Sequence, residues 1–361
     1  MEYAGCDDKK GVPNVANGRF PYLALSFASG VLETGAIAAG LIRGDLALAL
    51  ALALAYQLGC LARNPVRLSL KGSAIAIFSA LPLLLVVRFG VWGLFVSVLL
   101  ASAGIQSARE WLLPQGEAFS VGTKRVIRVS GFVFGIFAGY LVGVSAFGLV
   151  SSVALVIVVM PAAKQRRCPW ANLAGTWASD GHGWTMLFHQ SHYFAYAYVL
   201  LSVFLSSHGC YMPHSAWRTA AMASFWFSLG WASYISGEWL LKERFGLPDR
   251  EAAIVGHICV FCCLMFMVVF YNHPLALGIA WVVGGFGGGS VYAIKAMARA
   301  TGCRADIELW EHLGHVVGVA LALSSVMLFP RTPVIPFFVA LGAVAVTLVL
   351  LTRTPQAAAV I

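Results

Sequence analysis

The residue with the clearest chemical potential is Glu33, an acid in the middle of the apolar stretch FASGVLETGAIAAG. An ionisable side chain within a membrane-spanning helix costs roughly 2.5–3.5 kcal/mol even on insertion scales, so it is a functional candidate by default. Two hypotheses stay open for Glu33. It exchanges a proton, or it is a neutral acid that is hydrogen-bonded to a neighbouring helix.

A second group of candidates lies in FHQSHYFAYAY, where His189, His192 and Tyr196 are spaced at i, i+3 and i+7. This spacing places the three side chains on one face of a helix, with Tyr193 beside them. Two imidazoles could relay protons, bind an anionic substrate when charged, or ligate a metal ion. A single intramembrane histidine usually packs through a hydrogen bond, whereas the pair favours a function.

Glu308, Glu311, His312 and His315 form a third group at the start of a later apolar stretch. Helical spacing places Glu308, His312 and His315 along one stripe, and Glu311 and His315 are the group's candidate proton- or substrate-binding residues. The alternative is a solvated helix end, because water satisfies charges near a membrane surface.

Aromatic residues in FWFSLGWASYISGEW form the last group, with Trp231 and Tyr234 at i, i+3 and Phe227 one turn earlier. Such a surface could form the wall of a cavity for a flat organic solute. Lipid and helix packing is the competing interpretation, since aromatic residues are common at membrane interfaces.

Composition determines what must position these residues. The 361 residues are 60% hydrophobic and 11% charged with a mean hydropathy of +0.81, whereas soluble domains carry about 25% charged residues. A helical span needs roughly 20 apolar residues. We therefore predict an all-α polytopic membrane protein and exclude a separate soluble catalytic domain or nucleic-acid-binding module. Twelve spans are predicted, at 20–42, 45–62, 70–88, 90–107, 127–143, 145–162, 184–206, 216–239, 252–271, 274–297, 308–329 and 333–352.

The placement of basic residues tests the count of spans. With the N-terminus inside, twenty of the 24 Lys and Arg residues fall on the cytoplasmic side, and Arg43, Arg88, Arg218 and Arg331 fall outside. Cytoplasmic loops are enriched in Lys and Arg, so the asymmetry explains the net charge of +9. We predict a multi-pass protein of the cytoplasmic (inner) membrane with both termini cytoplasmic.

A weak internal repeat relates the two halves. Each half carries a charged inward loop followed by Gly-x-x-x-Gly, at Gly131 and Gly135 and again at Gly314 and Gly318. Small residues at this spacing let helices approach closely. Duplicated six-span units are common in transporters. The predicted division is therefore an N-terminal bundle (1–163), a cytoplasmic loop (164–183) and a C-terminal bundle (184–361).

Two inward loops resemble the signature of the major facilitator superfamily, Gly-x-Leu-x-Asp-Arg-x-Gly-Arg. The loop after the second predicted span keeps Gly59 and Arg67, but Arg63 replaces the acid. The loop after the eighth span is closer to the signature, and Glu238 lies at the end of that span. Its matching residues are Gly237, Glu243, Arg244 and Gly246. The chain thus resembles a compact and divergent member of this superfamily.

The resemblance implies two pseudo-symmetric six-helix bundles in which spans 3, 6, 9 and 12 face lipid and the others line one cavity. Glu33 and the histidine pair would face that cavity. It also implies a monomeric secondary transporter that is not an enzyme and needs no cofactor or resident metal. Its partners would be a small organic solute, protons and the lipid bilayer, without nucleic acid.

Two other functions stay open. A metal or metal-chelate carrier would need a third ligand beside His189 and His192, from Glu33 or His315. A non-transporting scaffold, or an enzyme that modifies lipids with its acids and histidines near the headgroups, is the alternative of another class. A cavity through the centre of the two bundles would favour a carrier, and one opening sideways to lipid would favour the enzyme.

Overall fold

The computed structural model describes residues 15–42, 46–62, 68–85, 90–113, 119–143, 145–164, 181–211, 216–301 and 306–353. The regular elements among these residues are all helical. They are α1 (Val15–Ile42), α2 (Leu46–Ala62), α3 (Leu70–Leu85), α4 (Gly90–Trp111), α5 (Val121–Val142), α6 (Ser145–Lys164), α7 (Gly181–Tyr211), α8 (Ala216–Glu238), α9 (Asp249–Val269), α10 (Pro274–Gly288), α11 (Val291–Ala300), α12 (Ile307–Leu328) and α13 (Ile335–Arg353). A π-helical turn, Trp239–Arg244, follows α8 directly.

Local sequence explains two of the boundaries that are hardest to predict. The segment 46–62 alternates Leu and Ala but is helical, because both residues have high helix propensity. Between α5 and α6 the chain turns at Gly143, whose φ of 69° lies in the left-handed region that favours glycine. The helix predicted at 45–62 and the predicted division between 127–143 and 145–162 are both confirmed.

Seven helical segments are long and apolar enough to cross a membrane, and three more are apolar but shorter, Leu46–Ala62, Leu70–Pro82 and Ser145–Val159. One of the seven is Pro274–Ala300, which comprises α10 and α11. This span is broken at Gly289 and Ser290, between α10 and α11. The total of twelve membrane-spanning helices stays a prediction.

Both Gly-x-x-x-Gly motifs bring two helices into close contact, at equivalent places in the two halves. Gly131 and Gly135 pack α5 against α1, and a Cβ at Gly135 would lie 2.7 Å from the Val31 carbonyl oxygen. Gly314 packs α12 against α7, where a Cβ would lie 2.6 Å from the Leu187 carbonyl oxygen. The close approach predicted from the motif is therefore present twice.

The same helix pairs recur in the two halves. Helices α3 and α4 pack together as α9 and α10 do, and α2 packs on α4 as α8 packs on α10. Contacts between the halves run mainly through α2 with α12 and α5 with α8. Among the described residues, one buried apolar core consists of residues from 22 to 158, and the other consists mostly of residues after 186. The bounds 1–163, 164–183 and 184–361 stay a prediction, because 165–180 lie outside the described residues.

Candidate functional site

Glu33 is the centre of a hydrogen-bonded chain that crosses from one half of the molecule to the other. The Arg128 guanidinium donates to Glu33 Oε2 at 3.0 Å, and the Tyr198 hydroxyl donates to Oε1 at 2.8 Å. Gln57 Nε2 donates in turn to the Tyr198 hydroxyl at 2.7 Å. Glu33 is only 1% exposed. Its carboxylate therefore links α1 to α5 within its own half and to α7 in the other.

A second polar group lies one helical turn away on the same face of α1. Ser29 Oγ and the Tyr56 hydroxyl are 2.7 Å apart, and Gln106 Nε2 donates to both. All three side chains are buried. Ser29 and Glu33 therefore lie one turn apart on α1, and each forms hydrogen bonds to side chains of neighbouring helices.

A cavity of about 160 Å³ lies between the two halves, next to the hydrogen-bonded chain that is centred on Glu33. Arg128 takes part in both, since it lines the cavity and binds Glu33. The polar and aromatic side chains of the lining come from α5, α7, α8, α11 and α12. They are Arg125, Arg128, Phe132, Gln190, Phe194, Trp231, Tyr234, Tyr292, Lys295, Glu311 and His315.

One acid of the cavity wall is held by a cation and an amide. Lys295 Nζ lies 2.7 Å from Glu311 Oε2, and Gln190 Nε2 donates to Glu311 Oε1 at 3.2 Å. The His315 ring packs against Phe194 with centroids 4.1 Å apart. Glu311 and His315 are therefore cavity-wall residues, and their role in binding protons or substrate stays a prediction.

The wall carries more positive than negative side chains. Its basic residues are Arg125, Arg128 and Lys295, and its acidic residue is Glu311. Arg128 and Lys295 each bind an acid. The Arg125 guanidinium instead lies 4.3 Å from the centroid of the Tyr292 ring, and its hydrogen bond to the described residues is to the Ile235 carbonyl oxygen, at 3.5 Å. The wall therefore has an excess positive charge.

Arg128 and Glu311 occupy equivalent positions in the internal repeat. Each lies three residues before the first glycine of its Gly-x-x-x-Gly motif, and each motif packs on the equivalent helix of its half. Opposite charges thus line the cavity at symmetry-related places.

Comparisons with solved structures determine the fold class. A bacterial homologue of the iron transporter ferroportin, in its outward-facing state, is 16% identical, with a TM-score of 0.62 over 95% of this chain and 99% of that chain. The nucleoside transporter NupG is 14% identical, with a TM-score of 0.62 over 93% and 98%. An autoinhibited POT family peptide transporter is 12% identical, with a TM-score of 0.66 over 94% and 97%. No family model and no curated protein matches the sequence.

The chain has the fold of the major facilitator superfamily. It is a multi-pass membrane protein, and the structural neighbours named above are transporters or a transporter homologue. Since these neighbours are named for iron, nucleosides and peptides, the shared fold leaves the solute open.

The histidines predicted to face the cavity lie on another side of α7. His189 and His192 are 0% exposed and are absent from the cavity lining, whereas Gln190 and Phe194 occupy the cavity face of α7. The two rings meet His257 of α9, and His189 Nδ1 lies 2.9 Å from His257 Nε2. The pair is brought together as predicted, but behind the cavity wall.

The predicted tyrosines and tryptophan separate into two places. Trp231 and Tyr234 line the cavity, which favours the cavity-wall interpretation of α8. Tyr193 packs behind them, with its ring centroid 5.4 Å from that of Trp231 and 4.9 Å from that of Tyr234. Tyr196 does not line the cavity, and its ring packs on that of Trp281 with centroids 5.7 Å apart.

The loops that resemble the superfamily signature combine tight packing with exposed charge. Gly59 packs against the backbone of α4, and a Cβ at Gly237 would lie 2.9 Å from the Gly289 Cα atom. Glu238 is half-buried. The remaining matched residues of this loop, Glu243, Arg244 and Gly246, are exposed, and Gly246 has a φ of 65°. Arg63 and Arg67 lie outside the described residues.

Sequence reasoning missed Arg128, Tyr198 and His257. Arg128 counts among the cytoplasmic cations, because the predicted span begins at residue 127 and puts Arg128 at its inward end. The helix instead begins at Val121, where Ser120 accepts a hydrogen bond from the Thr123 amide, so Arg128 lies two turns inside it. His257 could have been found from its place in an apolar span, the signal that identified Glu33.

Proposed function

We propose that the protein is a proton-coupled secondary transporter that carries a small organic anion across the cytoplasmic membrane by alternating access. The observation that carries this proposal is the bonding of Glu33 to Arg128, a cation that also lines the central cavity. The transporter works as a monomer with both termini cytoplasmic. The major facilitator fold and the transporter neighbours support the general class.

Coupling follows from the ion pair. When Glu33 is ionised, its carboxylate forms an ion pair with the Arg128 guanidinium at 3.0 Å. A proton on Glu33 removes that charge and leaves Arg128 free to bind an anionic group in the cavity. Proton and anion then bind together, because each favours the state of Arg128 that the other requires.

The chemistry of the cavity wall favours an anion with a flat apolar part. Arg125 is a cation without an acidic partner in the lining, and a guanidinium binds carboxylates and phosphates through two parallel hydrogen bonds. Phe132, Trp231 and Tyr234 provide aromatic surface in the same cavity wall. Burial of the organic part supplies affinity, and the cation selects for charge.

Alternation of access requires contacts that break when the bundles rock. The bonds from Gln57 to Tyr198 and from Tyr198 to Glu33 join α2 and α1 to α7. These bonds lie beside the proton-exchanging group, so its protonation changes both the charge of the site and the strength of the contact between bundles. A single titration can therefore bias the conformational equilibrium.

A metal carrier is the second candidate, favoured by the three histidines of α7 and α9. The third ligand expected from Glu33 or His315 is instead His257. These histidines do not line the cavity, and Glu33 is bonded to Arg128. The organic anion accounts better for the cavity wall. A lipid-modifying enzyme is less favoured, because the cavity that contains Glu311 and His315 is lined by both halves.

The test is proton movement driven by anions. The purified protein is reconstituted in liposomes that contain a pH-sensitive dye, and impermeant aromatic carboxylates, sulfonates and phosphate monoesters are added outside. Symport of at least one class acidifies the lumen, whereas the matched neutral amides and protein-free liposomes give no signal. Transport of the neutral compounds with no proton movement would reject the proposal.

A further inference from the structure

Three imidazoles meet in the interior of the C-terminal half. His189 and His192 of α7 and His257 of α9 are each 0% exposed, and one ligand atom from each lies within 4.8 Å of the others. The ring centroids of His189 and His192 are 5.1 Å apart, and those of His192 and His257 are 5.7 Å apart. We infer that this cluster is a binding site for a resident transition-metal ion, separate from the transport cavity.

The hydrogen bonding of the cluster is incomplete. His189 Nε2 and both ring nitrogens of His192 are buried without a hydrogen bond of good geometry to the described residues. A buried polar atom without a partner costs about 1–3 kcal/mol. Ligation of one nitrogen of each ring would offset part of this cost, which packing of the rings alone leaves in place.

One imidazole is already oriented as a ligand. His257 Nδ1 lies 2.6 Å from the Ala253 carbonyl oxygen, and since a carbonyl only accepts, Nδ1 carries the proton. The lone pair of His257 is therefore on Nε2, which points at His189. A backbone carbonyl that fixes the second nitrogen of a histidine is the usual support of a histidine ligand.

The donor set determines the class of ion. Imidazole nitrogens suit zinc, copper, nickel and related ions, whereas calcium and magnesium require oxygen ligands. Two nitrogens bound tetrahedrally at about 2.0–2.1 Å from zinc lie about 3.4 Å apart. The shortest nitrogen separation here is 2.9 Å and all ligand atoms are within 4.8 Å, so small ring rotations suffice.

The charge of the bound ion determines what the fourth ligand must be. Three neutral imidazoles leave the full charge of a divalent ion buried, which is costly. A fourth ligand that is anionic lowers this cost, and water on zinc ionises near pH 7.

Ser290 Oγ, 3.4 Å from His257 Nδ1, places the histidine cluster beside the break between α10 and α11. The ion would therefore hold α7 against α9 close to the helix that carries Lys295 of the cavity wall.

The experiment uses the full chain purified in detergent, stripped with a chelator and titrated with Co²⁺ or Zn²⁺ alone. The informative variant is His192→Phe, because neither nitrogen of His192 has a hydrogen bond of good geometry to a described residue that the change would remove. The matched control is His273→Ala, which changes an exposed histidine at the start of α10.

We expect the wild type and the control to bind one Co²⁺ with the visible absorption of a tetrahedral site, and Zn²⁺ to raise their Tm. In His192→Phe the affinity falls about 100-fold or more, and the Tm no longer responds to Zn²⁺. A wild type without the tetrahedral spectrum overturns the inference, as does unchanged binding by a folded His192→Phe. Neither readout uses transport, so the outcome is independent of the proposed function.

Discussion

The hydroxyl of Tyr198 in α7 donates a 2.8 Å hydrogen bond to the carboxylate of Glu33 in α1. The two residues are 165 positions apart and belong to different halves of the chain. The same carboxylate binds the Arg128 guanidinium of its own half. One buried acid thus meets a cation of the cavity wall and a donor of the opposite bundle, and this double contact gives the chain a means of coupling charge to movement.

Removal of the Tyr198 hydroxyl tests the contact between the halves. In Tyr198→Phe, Glu33 keeps Arg128 but loses its second partner, so we expect proton-driven uptake to fall several-fold with little change in anion affinity. Uptake is measured at saturating anion with and without a pH gradient. The matched control is Tyr196→Phe, whose ring packs on Trp281 away from Glu33. Equal losses in both variants would contradict a specific role for Tyr198.

The ion pair itself is tested by a double-mutant cycle. Arg128→Gln leaves a buried carboxylate without its cation, a change that destabilises proteins through the uncompensated charge. We expect its Tm to fall more than that of the double variant with Glu33→Gln. The measurement is thermal unfolding of all four proteins in one detergent. We expect a coupling energy between Glu33 and Arg128 of about 0.5–3 kcal/mol, the range found for residues in contact. Additive effects would show that the pair does not interact.

Arg125 is predicted to select for charge in the solute. In Arg125→Gln the cavity loses its cation over Tyr292. We expect anion affinity to fall about tenfold or more, since hydrogen bonds to charged groups contribute about 1.5–3 kcal/mol. Thermal shift by the transported anion is the readout, with the exposed Arg331→Gln as control. Unchanged affinity in Arg125→Gln would remove this residue from the binding site.

Close packing of the repeated helix pairs is tested at the motif glycines. Gly135→Leu and Gly314→Leu each place a side chain where even a Cβ meets backbone within 2.7 Å. Overpacking costs about 1–3 kcal/mol or more, so both variants should unfold at lower temperature. Gly342→Ala on α13 is the control, because its Cβ meets nothing within 4 Å. A Tm like that of the wild type in either leucine variant would contradict the packing.

Much of the fold was predictable, because the bilayer sets helix length and composition. The helix at 46–62 follows from helix propensity, and the turn at Gly143 follows from the backbone freedom of glycine. The beginning of α5 was predicted six residues too late. Hydropathy places the boundary at the first apolar run, whereas the Ser120 cap lets the helix continue through charged residues.

The candidate site was only partly predictable, for a physical reason. Glu33, Glu311 and His315 were found from their own settings, since a titratable side chain in an apolar span is conspicuous by itself. Their partners are conspicuous only in three dimensions. The rotation of α7 about its axis decides that Gln190 and not His189 meets the cavity, and periodicity determines which residues share a face but not which neighbour that face meets.

The central claim is that Glu33 couples the proton gradient to the solute, and Glu33→Gln tests it most directly. Proteoliposomes with this variant are compared with the wild type and with Glu308→Gln, an acid exposed at the start of α12. Two fluxes of the anion are measured, uphill accumulation driven by a pH gradient and exchange at equilibrium without one. We predict that Glu33→Gln loses accumulation and keeps exchange, while both other proteins keep both. Accumulation by Glu33→Gln at the wild-type level would contradict the account.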